Sequence, residues 1–178
     1  MFSRRGIAVS IALATLIGGV VVAPPVSIAA GTGPEPALSA DLEGTPIAPT
    51  SVSSWYCHDL DYPRIHCFRT ASAFAAAMSV RISPGRPGAA ALSSTPYVIV
   101  YRDATYAGPF LSISQAYDNL ASIGWNDMIS SFKALNSLSG HFAVDASNGG
   151  SHYAFCCNNQ VPYVGDAWND VFSSVYPS

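Results

Sequence analysis

WNDMISS, from Trp125 to Ser131, recurs as WNDVFSS, from Trp168 to Ser174, 43 residues further on. The two copies agree in Trp, Asn, Asp and the closing pair of serines. Asn, Asp and Ser are turn formers that bend a chain by bonding their own backbone, so each copy reads as a polar loop. A duplicated loop at this spacing implies a duplicated supersecondary unit. The flanking sequence supports that. PYVIVYRDATYAGPFLSIS, from Pro96 to Ser114, holds a β-branched and aromatic run, a bend over 102–107, Gly108 and a second strand-like run. Leu135 to Phe155 repeats the scheme, with Asn148-Gly149-Gly150 as its turn. The order hairpin, loop, hairpin, loop is that of an all-β sandwich with a twofold internal repeat.

Within this layout, Tyr101-Arg-Asp-Ala-Thr-Tyr106-Ala-Gly108 resembles the βγ-crystallin hairpin motif, an aromatic, four residues, an aromatic, one residue and Gly. Asn126-Asp127-Met128-Ile129-Ser130-Ser131 is similar to the calcium-binding motif of that superfamily, and Asn169-Asp170-Val171-Phe172-Ser173-Ser174 matches it again. The second hairpin departs from the pattern. With Phe142 as first aromatic and Gly149 as the glycine, Ser147 stands where the second aromatic is expected. The resemblance covers 96–178 and implies a double Greek-key sandwich. It also implies two Ca2+ sites, each completed from the turn of the other hairpin, which would bring the 102–104 and 144–146 regions beside the opposite loops.

Calcium takes six to eight oxygen ligands from carboxylates, carbonyls, hydroxyls and water. Asn126 or Asp127, the carbonyl at Met128 and Ser130 provide about half a shell, as do Asn169, Asp170, Val171 and Ser173 in the second loop. One Asp per motif points to modest affinity, roughly 10⁻⁵ to 10⁻³ M. Ser131 and Ser174 read as structural, bonding back to the hairpins, and Trp125 and Trp168 as core residues beside the loops.

Upstream of residue 96 the chain changes character. Arg4 and Arg5 precede an apolar run from Gly6 to Ala23, closed by small residues near Ala29 and Ala30. That pattern predicts a secretory signal peptide over 1–30 and a secreted, extracellular protein. Residues 31–54, rich in Pro, Gly, Ser and Ala without hydrophobic period, read as a flexible linker. Residues 55–95 read as a small module. Two short runs flank Asp61-Tyr62-Pro63-Arg64, a turn sequence, and Thr70 caps a helix through the Ala-rich stretch that follows, ended by Ser83-Pro-Gly-Arg-Pro-Gly88.

Four cysteines in an exported chain favour disulfides. Pairing of Cys57 with Cys67 staples the hairpin, leaving the adjacent Cys156 and Cys157; bonds from either of these to the N-terminal pair are the alternatives. A zinc site from Cys57, His58, His66 and Cys67 is disfavoured, because neighbours on a strand point to opposite faces.

The formal charge of −3 becomes −5 once 1–30 is removed, and the six remaining basic residues are scattered. That excludes nucleic acid as a partner and disfavours an anionic membrane surface. Neither GxSxG nor HExxH occurs, and both glutamates fall in the expected linker, so no catalytic centre is predicted. Two other readings stay open beside calcium binding. One is a secreted metalloprotease inhibitor of the same fold, which needs a rigid protruding loop held by a disulfide. The other is a toxin or cell-surface interaction module using Trp55, Tyr56 and Tyr62.

Overall fold

A computed structural model describes residues 37–81 and 97–178. The expected signal peptide and the expected helix stop over 83–88 lie outside the described residues. The elements are almost all strands: β1 Ser39–Leu42, β2 Thr45–Ile47, β3 Tyr56–Asp61, β4 Arg64–Phe68, β5 Tyr97–Asp103, β6 Ala107–Ile113, β7 Ser131–Leu135, β8 Gly140–Ala143, β9 His152–Phe155, β10 Gln160–Val161 and β11 Ser174–Pro177. Among the described residues the one α-helix, α1, spans Ala71–Arg81. Thr70 caps it as expected, its hydroxyl accepting from the Ala73 amide at 3.1 Å.

Two sheets form the sandwich. One runs β10-β7-β5-β6-β3-β4-β1-β2 and the other β11-β8-β9. The first repeat supplies the hairpin β5–β6, and β7 after its loop returns to pair with β5. The second supplies β8–β9, and β11 returns to pair with β8. Each repeat also sends one strand across. β10, from the second repeat, pairs with β7, while Tyr117, from the first, bridges to Val175 in β11. Exchange of the third strand between two such units is the wiring of a double Greek key. Between the sheets lie Val98, Val100, Leu111, Ile113, Leu120, Trp125, Phe132, Phe142 and Phe172, all buried. They come from alternate positions of the strands and from the loops that close the ends.

Residues 39–54 are not a spacer. They form β1, β2 and a 3₁₀ turn over Pro49–Ser54, with Ala40, Leu42 and Val52 in the core. The stretch shows no hydrophobic period because its strands are short and β2 lies at a sheet edge. Only a few side chains therefore need to be apolar. The expected hairpin and helix are present, but the hairpin is no separate module. β3 runs parallel to β6, with Tyr56 opposite Phe110 and Cys57 opposite Leu111, which extends the Greek-key sheet by four strands.

Cys57 and Cys67 face each other across β3 and β4 and are disulfide-bonded. Their His neighbours lie on the other face of the hairpin, where His58 and His66 pair at 5.4 Å between ring centres, so no zinc set converges. The turn at Asp61–Arg64 is tied to its neighbours. Its strands are interior to the sheet, Pro63 accepts from the Ser39 amide at 3.0 Å, and the Tyr62 ring meets Tyr117 edge-on. Trp55 and Tyr56 are half-buried, Tyr56 against Phe110, and Tyr62 is 40% exposed.

Candidate metal centre

The two repeated loops share one backbone conformation at their Asp. Asp127 and Asp170 both sit in the left-handed region, at φ 55° and 56°, which Asp tolerates better than most side chains. Asn126 and Asn169 each donate a side-chain amide to the following carboxylate, at 2.6 and 2.7 Å. The loops also grip one another. The Asp127 amide donates to the Phe172 carbonyl at 3.0 Å, and the Asp170 amide donates to the Ile129 carbonyl at 3.4 Å. Each Asp is thereby delivered to the serine end of the opposite loop.

Each loop is also tied to the hairpin that precedes it. The Ser130 amide donates to the Tyr101 carbonyl, and the Ser173 amide to the Ala143 carbonyl, at 3.1 and 2.9 Å. Each hairpin turn therefore lies against the loop that follows it, because that loop leads straight into a strand paired with the same hairpin, and Arg102 and Asp103 also share a cavity with Asp170 of the opposite loop, as expected for 102–104. What crosses over is the Asp. At the first crossing, Ser130 Oγ lies 3.4 Å from Asp170 Oδ1. A cavity of about 280 Å³ opens there, lined by Arg102, Asp103, Asp127, Met128, Ser130 and Asp170.

The serines that close the motifs behave as expected. Ser131 Oγ donates to the Asp103 carbonyl at 2.7 Å and accepts from the Tyr106 amide at 3.1 Å. Ser174 Oγ donates to the Asp145 carbonyl at 2.8 Å and accepts from the Asn148 amide at 3.4 Å. Trp125 is fully buried, and Trp168 is half-buried against Tyr153 and Phe172.

These contacts reset the alignment of the second hairpin by one residue. Asp103 corresponds to Asp145, Tyr106 to Asn148 and Gly108 to Gly150, whose left-handed φ values are 73° and 71°. In both hairpins a Cβ on that glycine would run into the carboxylate of the corresponding Asp. The glycine of the second motif is thus Gly150, not Gly149. Tyr101 corresponds to Ala143, so neither aromatic of the corner survives. Two adjacent glycines and the nearby Phe142 made the wrong register look plausible in sequence.

The donor set suits a hard cation held loosely. Among the described residues no group of three or more His, Cys, Asp and Glu comes together. The cavity at the first crossing instead sets carboxylates beside the Ser130 hydroxyl, hard oxygen donors of the kind calcium takes. Asn169 Oδ1 is buried with no hydrogen-bond partner, an acceptor that a cation would satisfy.

A second cluster went unread in the sequence. Asp59 is fully buried where β3 meets the first Greek key. Its Oδ1 accepts from the Ser114 amide and hydroxyl, both at 2.8 Å, and its Oδ2 from the Tyr117 hydroxyl at 3.2 Å. Burial outweighs those bonds and raises its pKa to about 6. Beside it, burial lowers the pKa of His58 to about 4, with Arg81 and His66 adding to the effect. No motif marks Asp59 in the sequence, where it stands in a strand that also carries His58 and Asp61.

Neither a family model nor a curated protein sequence matches the chain. Solved structures do. A βγ-crystallin domain from Flavobacterium johnsoniae shares 28% identity over 46% of this chain and 92% of its own, with a TM-score of 0.41. One from Clostridium beijerinckii shares 23% over 46% and 95%, also at 0.41. βγ-Crystallin from Ciona intestinalis shares 23% over 46% and 99%, again at 0.41. The described fold is a double Greek-key sandwich. Strand exchange between two Greek keys and the duplicated corner already define it on this chain's own residues, and the likeness spans about half of the chain. The four N-terminal strands and α1 are an addition to that double Greek-key core.

Proposed function

We propose that this protein is a secreted calcium-binding βγ-crystallin-like protein, in which two Ca2+ ions bridge the repeated loops and stabilise the fold. The observation that carries the reading is the reciprocal crossing of Asp127 and Asp170, each held in the same left-handed conformation beside the other loop. One ion would draw on Asp170, Ser130 and carbonyls near Met128; the other on Asp127, Ser173, Asn169 and carbonyls near Val171. A bound cation supplies charge that offsets the crowding of carboxylate and carbonyl dipoles at each crossing. Secretion is inferred from the N-terminal sequence and agrees with a disulfide-bonded hairpin.

Binding to the folded state alone stabilises it by about 2.7 kcal/mol at a hundredfold excess over Kd. The thermal midpoint of the purified protein should therefore rise in millimolar calcium relative to EDTA. Asp127→Asn with Asp170→Asn, or Ser130→Ala with Ser173→Ala, should remove most of that gain while leaving the EDTA midpoint within a few degrees. Calorimetric titration should count two ions. Equal midpoints with and without calcium, together with no binding heat, would make the loops structural turns and end this reading.

A further inference from the structure

The structure closes one question about the cysteines and opens another. With Cys57 and Cys67 bonded and wholly buried, Cys156 and Cys157 have no partner in the chain except each other. Both are free and exposed, in the turn that leaves β9. That turn is held from several sides. The Cys156 amide donates to Asn159 Oδ1 at 2.8 Å, the Cys157 amide to the Leu138 carbonyl at 3.1 Å, and the Ser137 amide to Asn158 Oδ1 at 3.1 Å. Cys157 and Asn158 adopt left-handed φ values of 58° and 67°. The backbone is thus committed to a tight bend, with both thiols turned to solvent.

The corresponding position in the first repeat explains this exposure. By the register of the hairpins, Cys156 matches Ser114, the residue on which buried Asp59 docks. β6, the strand before Ser114, is covered along its edge by β3. β9, the strand before Cys156, is an edge of its sheet, with no strand beyond it among the described residues. What the first repeat uses as an internal docking point, the second presents as an accessible dithiol.

We propose that Cys156 and Cys157 form a redox-active vicinal dithiol that reacts with low-molecular-mass disulfides. A thiophilic metal is the weaker reading, because no His, Asp or Glu joins the two sulfurs into a larger donor group among the described residues. In the first step the thiolate of Cys157 attacks one sulfur of the small disulfide. An S–S bond forms to Cys157, the original S–S bond breaks, and one small thiolate leaves. In the second step Cys156 loses its proton to solvent and its sulfur attacks Cys157 Sγ, which expels the second small thiolate. The two cysteines are oxidised by two electrons and the small disulfide is reduced by two. A hydrogen bond to Cys157 holds the Cys156 thiol above its ordinary pKa, consistent with Cys157 acting first. Adjacent Cα atoms lie about 3.8 Å apart, below the usual span of a disulfide, so the product bond is strained and readily reduced. The couple should therefore be reversible under conditions that leave Cys57–Cys67 intact.

The test uses the purified protein after mild reduction, exposed to oxidised glutathione, with thiol titration and intact mass as readouts. The wild type should go from two titratable thiols to none, with a mass lower by two hydrogens and no retained glutathione. Mild reductant should restore both thiols. Cys156→Ser and Cys157→Ser, which remove the resolving or the attacking sulfur, should each retain one glutathione. Wild-type protein that keeps glutathione on both sulfurs, forms a disulfide-linked dimer or leaves both thiols unreacted would overturn the proposal. None of these readouts depends on calcium.

Discussion

The two repeats share a loop backbone and differ in what surrounds it. In the first, Tyr101 and Tyr106 meet edge-on at 5.5 Å, and the Lys133 ammonium lies 4.1 Å above the Tyr106 ring. In the second, the matching residues are Ala143 and Asn148. Asn148 Oδ1 bonds His141 Nε2 at 2.6 Å, and the His141 ring stacks on His152 and Tyr176. The first repeat is also covered by the N-terminal strands, and the second is not. The corner thus survives loss of both aromatics, provided the glycine, the left-handed pair before it and the serine hydroxyl remain. Backbone conformation defines this motif, and the side chains around it are negotiable.

The strongest way to break the comparison is to give the first repeat a residue from the second. Gly124 precedes the first Trp-Asn-Asp and corresponds to Ala167. It has φ 73°, and a Cβ there would collide with the backbone carbonyl of Thr50 from the N-terminal arm. Gly124→Ala should cost about 3 kcal/mol or more, because a backbone carbonyl cannot retreat as a flexible side chain can. A denaturant titration would show it. A loss below about 1 kcal/mol would mean that the arm is not packed tightly on the first repeat.

A pH test probes the same contact. Asp59, with its pKa raised from 3.8 to about 6, holds its proton more tightly when folded. Its contribution is full at acid pH and lost as pH rises through that window. His58, lowered from 6.5 to about 4, binds a proton more readily when unfolded, so its contribution is lost as pH falls. Each effect is on the order of 3 kcal/mol, and over pH 4 to 6 they oppose each other. The wild type should show a shallow profile there. Asp59→Asn should unmask a midpoint that climbs with pH, and an unchanged profile would discount the opposition.

Smaller effects separate the two corners. Ser131→Ala removes one donor and one acceptor from a fully buried site and should cost about 2 kcal/mol. Ser174→Ala, whose second bond is long, should cost about 1 kcal/mol, so a reversed order would break the ranking. Lys133→Met removes the cation above Tyr106 and should cost about 0.5 to 1 kcal/mol, with no counterpart to lose in the second repeat.

Much of this architecture was legible because local sequence dictates it. The duplicated loops, both hairpins, the Thr70 cap and the Cys57–Cys67 staple rest on turn chemistry, β-branched runs or proximity along the chain. Less legible was the register of the second corner, where Gly149 and Gly150 compete and only the bonds from Ser173 and Ser174 choose between them.

Taken alone, the sequence determined that this chain contains a repeated Greek-key unit and which residues form its loops. Tertiary structure decided the rest. Strands β1 and β2 are too short and too near an edge to carry a hydrophobic pattern, so only their pairing with β4 and with each other makes them strands. Asp59 became a docking point only when Ser114 and Tyr117, more than fifty residues away, were brought to it. The crossing of Asp127 and Asp170 arises because each loop finds its hydrogen-bond partners in the other, which no local pattern encodes.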